Sequence, residues 1–187
     1  MNKVYIFLAD GFEEIEGLTV VDLLRRVDID ISMVSITGKL EVKGSHGIIV
    51  MAEQLFEDVN FDDADMLILP GGMPGTTTLM EHEGLDILLR DFNAKKKALA
   101  AICAAPSVFG MKGILEGKNA TCYPGFEGKL KGAYPKDSNV VEDQNIITSR
   151  GMGTAIDFSL SLVKYFKGQE AAKKLAEEIQ YKHYETL

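Results

Sequence analysis

The stretch Ala98-Leu99-Ala100-Ala101-Ile102-Cys103-Ala104-Ala105-Pro106 decides the fold. Its first five residues are all apolar and read as a strand buried on both faces. The strand ends on Cys103, and a helical pattern resumes at once through residues 108–111. A strand that turns so sharply into a helix exposes the turn residue at the sheet's edge and aims backbone N–H groups at it, which is the logic of a nucleophile elbow. Small neighbours relieve the crowding of such a turn. A thiol there also has its thiolate favoured by the helix dipole. The competing reading is a buried structural cysteine, because free Cys is among the most buried residue types.

Outward from this segment, two more apolar runs read as buried strands. Residues 4–9 are punctuated by Gly11, and Met66-Leu67-Ile68-Leu69 stops at Pro70-Gly71-Gly72. Residues 29–36 alternate as a strand. Residues 48–51 form another, after the turn signal Gly44-Ser45-His46-Gly47. A short strand is expected at 119–122, and a hairpin where Val140-Val141 and Ile146-Ile147-Thr148 flank Asp143-Gln144-Asn145. Helical periodicity places Ile15, Leu18, Val21 and Leu24 in a first helix ending near Arg25 and Arg26. Further helices are expected over 84–95 and 154–166, with a last one carrying Ala171, Ala172, Leu175 and Ile179 on one face. Buried strands alternating with helices predict one α/β domain over 1–187, a mostly parallel sheet covered on both sides. Sites in such sheets form beyond the carboxyl ends of the strands, here residues 11–16, 70–75 and 103–106.

Composition narrows the function classes. The chain has 187 residues, 46% apolar and 26% charged, an ordinary globular composition. A net charge of −8, with no basic cluster beyond Lys95-Lys96-Lys97, argues against nucleic acid as a partner. No stretch approaches the ~20 apolar residues that cross a bilayer. The first residues read as a strand rather than a signal peptide. Two cysteines make no disulfide framework, so a cytoplasmic location with reduced thiols is expected.

Two further elements surround Cys103. The glycines of Pro70-Gly71-Gly72-Met73-Pro74-Gly75 allow close backbone approach, and their N–H groups suit an oxyanion site; a plain tight turn explains them equally. Glu13 and Glu14 suit a helix N-terminus. Glu16, inside the apolar pattern, does not fit a solvated face. A carboxyl buried beside a thiol has its pKa raised, and can donate a hydrogen bond to sulfur or act as general acid or base.

The chain resembles the ThiJ/PfpI family, also written DJ-one/PfpI. The resemblance rests on residues 9–16 (ADGFEEIE), on Leu69-Pro70-Gly71-Gly72, on Ala101-Ile102-Cys103-Ala104-Ala105-Pro106 and on residues 148–154 (TSRGMGT). These segments run in order over nearly the whole chain. They lie closer to the branch of the human Parkinsonism-associated protein deglycase than to the PfpI-type proteases. The resemblance implies a flavodoxin-like three-layer sandwich and a homodimer. It implies Cys103 as nucleophile, Glu16 on its sulfur, and backbone donors from Gly72 and Ala104. Activities in the family include cofactor-free glyoxalase, protein deglycase, chaperone and oxidative-stress roles, with the deglycase assignment disputed.

Two departures matter. Where some members carry a His after the strand that follows the elbow, this chain has Tyr123, a poor base near neutral pH. Protease-like members have His directly after the cysteine, and here that residue is Ala104, so a Cys–His protease lacks its base. By the resemblance His46 falls where the human protein has an Arg near the dimer interface, so a loop or interfacial role is expected, with proximity to a site through a partner chain as the alternative. His82 and His183 read as solvated, and Cys122 as a buried small hydrophobe or a resolving thiol. No His and Cys spacing suggests a metal, and no phosphate-cradling motif appears.

The leading expectation is therefore an enzyme, needing no cofactor, that acts on small dicarbonyls such as methylglyoxal or on their glycated adducts. The alternative is a redox sensor or stress chaperone working through oxidation of Cys103. A binding module without chemistry is the third reading.

Overall fold

The structure is a computed structural model, and it describes residues 2–183. Among the described residues, eleven strands and six α-helices follow in chain order: β1 Lys3–Leu8, α1 Glu14–Arg26, β2 Asp30–Ser35, β3 Glu41–Lys43, β4 Ile49–Met51, β5 Gln54–Leu55, β6 Met66–Leu69, α2 Gly75–Glu81, α3 Glu83–Ala94, β7 Ala98–Ile102, α4 Pro106–Met111, β8 Asn119–Ala120, β9 Tyr134–Pro135, β10 Val140–Asp143, β11 Ile146–Ser149, α5 Ala155–Lys167 and α6 Gln169–Glu178.

Seven strands form the central sheet in the order β10-β11-β7-β6-β1-β2-β5. Every pairing is parallel except the β10–β11 hairpin. Strand order reverses at β1: the chain moves to β2 and β5 on one side, then to β6, β7 and β11 on the other. The carboxyl ends of β1, β6 and β7 are adjacent there, which is where an open α/β sheet makes its binding crevice.

The alternation of strand side chains builds two cores. Val4, Ile6, Leu8, Ala98, Ala100 and Ile102 pack with Val20, Leu24, Phe158, Leu162 and Leu175 of α1, α5 and α6. Tyr5, Phe7, Leu99 and Ala101 pack with Leu79, Leu89, Phe92, Val108 and Phe109 of α2, α3 and α4. The result is the expected flavodoxin-like three-layer sandwich with a mostly parallel sheet. No helix among the described residues is long and apolar enough to cross a membrane.

Several local expectations are corrected. Ile15 is not part of the buried face of α1 but 49% exposed. The strand at 48–51 pairs antiparallel with β3, a partner the sequence did not announce. Helix α2 was not expected either, since Gly75-Thr76-Thr77-Thr78 is poor in helix formers; burial of Leu79 and Thr76 overrides the propensity. His82 is not solvated: its ring accepts the Leu85 N–H at 3.0 Å, capping α3, and packs edge-on against Phe56.

Candidate active site

Cys103 has φ +65°, the left-handed region that L-residues avoid. The elbow is held open from both sides. The Cys103 N–H donates to Ser149 O of β11 at 3.0 Å, and Cys103 O accepts the Tyr123 N–H at 2.7 Å. Ser107 Oγ donates to Ala104 O at 2.6 Å and secures the first turn of α4. The N–H groups of Ala104 and Gly72 are left to point at the sulfur, and both do.

Glu16 arrives from the first turn of α1 and is 1% exposed. Its Oε2 accepts the Gly71 N–H at 2.9 Å, and its carboxyl shares a hydrogen bond with the Cys103 thiol. Gly71 is the hinge of this contact. A Cβ there would stand 2.5 Å from Glu16 Oε2, 2.6 Å from Cys103 Cβ and 3.1 Å from Sγ. Gly72 has φ +93°, and it has no room for a side chain beside the Glu13 backbone. Of the sequence-derived candidates, Cys103, Glu16, Gly72 and Ala104 thus meet at one point.

The electrostatics of the pair follow from burial. Burial pushes the Glu16 carboxyl up to about 7, with the Glu13 charge adding to it and hydrogen bonds from Cys103 and Gly71 opposing it. Burial, then the Glu16 charge and hydrogen bond, push the Cys103 thiol up to about 12, against the Ala104 and Gly72 N–H groups. The dipole-lowered thiol expected from sequence is therefore corrected: α4 is six residues long, and desolvation beside a carboxylate outweighs its N-terminus. When Glu16 is protonated its charge no longer opposes the thiolate, and the same hydrogen bond reverses, O–H donating to S⁻. The pair loses its first proton near pH 7, and above that the two groups share the one that remains.

Tyr123 borders the thiol. It is 50% exposed, and its ring and the Cys103 sulfur both lie beside Gly151, 3.2 and 4.0 Å from where a Cβ would stand. His46 does not join the pair; its ring pairs with Glu14 at 3.0 Å and Glu13 at 3.4 Å. Cys122 is 2% exposed, and burial pushes its thiol up to about 11, so it is the buried small hydrophobe of the two readings. Arg150, near Cys122, pairs with Asp137 at 2.6 Å.

Glu14 is the residue sequence reasoning missed. It is not a solvated dipole partner but 3% exposed, and it clamps the β3–β4 turn by accepting the His46 N–H at 2.8 Å and the Ile48 N–H at 3.4 Å. Gly44 leaves the room it occupies. The signal was present in the glycine-flanked turn, which exposes backbone donors with no partner of their own.

A family model described as the DJ-1/PfpI family matches residues 2–165. The chain belongs to the DJ-1/PfpI family. It is 35% identical over 177 residues to protein dj-1beta of Drosophila melanogaster, covering 94% of this chain and 95% of that protein. It is 39% identical to protein DJ-1 homolog B of Arabidopsis thaliana over 94% of this chain but 40% of that protein, so it spans less than half the length of that plant relative. A protein named a deglycase in Pyrococcus abyssi is 30% identical over 88% of this chain and 99% of its own length. The solved structure of Toxoplasma gondii DJ-1, described as oxidized, superposes with a TM-score of 0.93 at 33% identity, covering 97% of this chain and all of that one.

Proposed function

We propose that this DJ-1/PfpI member is a cysteine-dependent glyoxalase or deglycase-type enzyme with a role in carbonyl or oxidative stress. One observation carries the reading: a thiol and a buried carboxyl share a hydrogen bond beneath two backbone N–H donors. The relative named a deglycase supports the same class.

With methylglyoxal the chemistry runs as follows. Cys103 sulfur adds to the aldehyde carbon, and the new alkoxide lies against the N–H groups of Gly72 and Ala104. The thiol's proton passes through Glu16 to that oxygen, giving a hemithioacetal. Glu16 as carboxylate then removes the hydrogen on the former aldehyde carbon and returns a proton to the adjacent carbon through an enediol. The product is a lactoyl thioester, and water cleaves its C–S bond to release lactate and restore the thiol. No electron leaves the system: one carbon is oxidised as its neighbour is reduced. An Amadori-free hemithioacetal or aminocarbinol adduct on a protein enters the same route after release of its carbonyl.

Saturable lactate formation from methylglyoxal without glutathione, lost in Cys103→Ser, is the expected result. Equal turnover by the variant would refute the assignment. A second reading has Cys103 oxidised by peroxide to sulfenic and then sulfinic acid as a stress signal. It is favoured by the half-buried Cys103 being the more accessible of the two thiols and by the oxidized Toxoplasma relative. Intact mass after low equivalents of peroxide checks it, and modification of Cys122 instead of Cys103 would sink it.

We also propose that the enzyme is a cytoplasmic homodimer. Ile15 at the start of α1 and Ile48, Ile49 and Met51 of the hairpin clamped to it are 49–58% exposed, an apolar surface that a second copy would cover.

A further inference from the structure

Three features surround the Cys103 sulfur: the N–H groups of Ala104 and Gly72, the Glu16 carboxyl, and a corner formed by Gly151 and Tyr123. A 2-oxoaldehyde bound to that sulfur makes use of all three. Its former aldehyde carbon bears sulfur, oxygen, hydrogen and an acyl group. The oxygen lies against the two N–H groups, and the hydrogen must face Glu16 to be removed. The acyl group leaves by the remaining side, toward Gly151 and Tyr123.

Gly151 is informative because its backbone does not require glycine. With φ 166° and ψ −168° it is extended, a conformation open to any residue. Its glycine supplies space instead. A Cβ there would stand 3.2 Å from the Tyr123 ring and 4.0 Å from Cys103 Sγ. The missing side chain leaves a slot between the ring and the reactive sulfur. The wall of the slot is fixed, since the Gly151 N–H donates to Thr154 Oγ1 at 3.1 Å and Gly151 O accepts the Thr154 N–H at 2.8 Å.

Tyr123 is held by its backbone and free at its ring. Its N–H donates to Cys103 O at 2.7 Å, and its carbonyl accepts the Phe126 N–H at 3.0 Å. Among the described residues no second ring packs on it and no group hydrogen-bonds its hydroxyl. The residue is half exposed. A ring with an open face beside a nucleophile offers contact area, and aromatic partners gain most from it.

We propose that the slot between Gly151 and Tyr123 receives the substituent on the substrate's ketone carbon, and that Tyr123 selects 2-oxoaldehydes with a flat apolar substituent, the aryl glyoxals. The inference rests on the proposed glyoxalase chemistry, because the places of oxygen and hydrogen in that chemistry define the third direction. A methyl substituent covers little of the Tyr123 ring. A phenyl substituent covers much more and adds the ring–ring contact.

The test compares kcat/KM for phenylglyoxal, read as mandelate, with that for methylglyoxal, read as lactate. Wild type is expected to favour phenylglyoxal, and Tyr123→Ala to lower the aryl-to-methyl ratio by about fivefold or more. Tyr123→Phe should keep the ratio, and Gly151→Ala should lower it by filling the slot. A second measurement needs no turnover: alkylation of Cys103, read by peptide mass, with phenacyl bromide against bromoacetone, where sulfur displaces bromide from either reagent. The aryl-to-methyl rate ratio should fall in the same two variants. If wild type converts neither oxoaldehyde but the alkylation ratio falls, the glyoxalase reading fails and the aryl slot stands. A wild-type preference for methylglyoxal, or ratios that move in neither Tyr123→Ala nor Gly151→Ala, would overturn the proposal.

Discussion

Glu16 stores a cost in the folded state. Its carboxyl rises from an ordinary 4.5 to about 7, so the folded chain holds a proton that the unfolded chain has lost. Stability therefore falls as pH rises from about 4.5 to about 7. Glu16→Gln removes the buried charge while keeping an acceptor for Gly71 N–H and gaining a donor toward sulfur. At pH 7.5 it is expected to be more stable than wild type by ~2–3 kcal/mol, with little difference at pH 4, as denaturant unfolding at the two pH values would show. Equal stability at both would contradict the buried-charge account. Gly71→Ala is the complementary case. A methyl there collides with both reacting side chains, so lactate formation should drop at least about a hundredfold with the fold retained. The positions of Cys103 and Glu16 were legible in sequence, because a thiol in a crowded elbow and an acid in an apolar pattern are anomalies. The state of the thiol was not, because desolvation depends on what covers it.

At the scale of elements, Glu14 decides whether the β3–β4 hairpin stays on α1. Burial would raise its pKa, but hydrogen bonds from its own backbone, His46 and Ile48 prevail and hold it down at about 2. A depressed carboxyl contributes stability that is complete above about 4.5 and is lost as pH falls toward 2. Glu14→Ala should release the turn, seen as faster amide exchange at His46 and Ile48 while β1, β6 and β7 remain protected. Unchanged exchange there would deny the clamp. The long buried strands and the helices α1, α3, α5 and α6 were readable from periodicity. The three-residue β3 and the two-residue β5 and β9 gave too few residues for a period, whereas β8 lies within the short strand expected at 119–122. The Thr-rich α2 concealed itself behind poor propensity.

For the whole molecule, the exposed apolar set of Ile15, Ile48, Ile49 and Met51 makes a prediction of its own. Ile49→Glu should convert a dimer into a monomer of about half the mass in light scattering at micromolar concentration. A wild-type monomer would remove the homodimer from the account. The sheet order, with its reversal beside β1, brings residues 16, 71–72 and 103–104 from three separate crossovers to one crevice. Sequence order alone named those segments, and only the parallel register placed them side by side.

The proposed chemistry requires Cys103 and Glu16 to act as one unit that loses its first proton near pH 7. Its most direct test is the rate of Cys103 alkylation by iodoacetamide, followed by intact mass from pH 5 to 9 in wild type and Glu16→Gln. An inflection near pH 7 in wild type that disappears in the variant is the predicted result. The same inflection in both proteins, or none in either, would contradict the shared proton and with it the proposed mechanism.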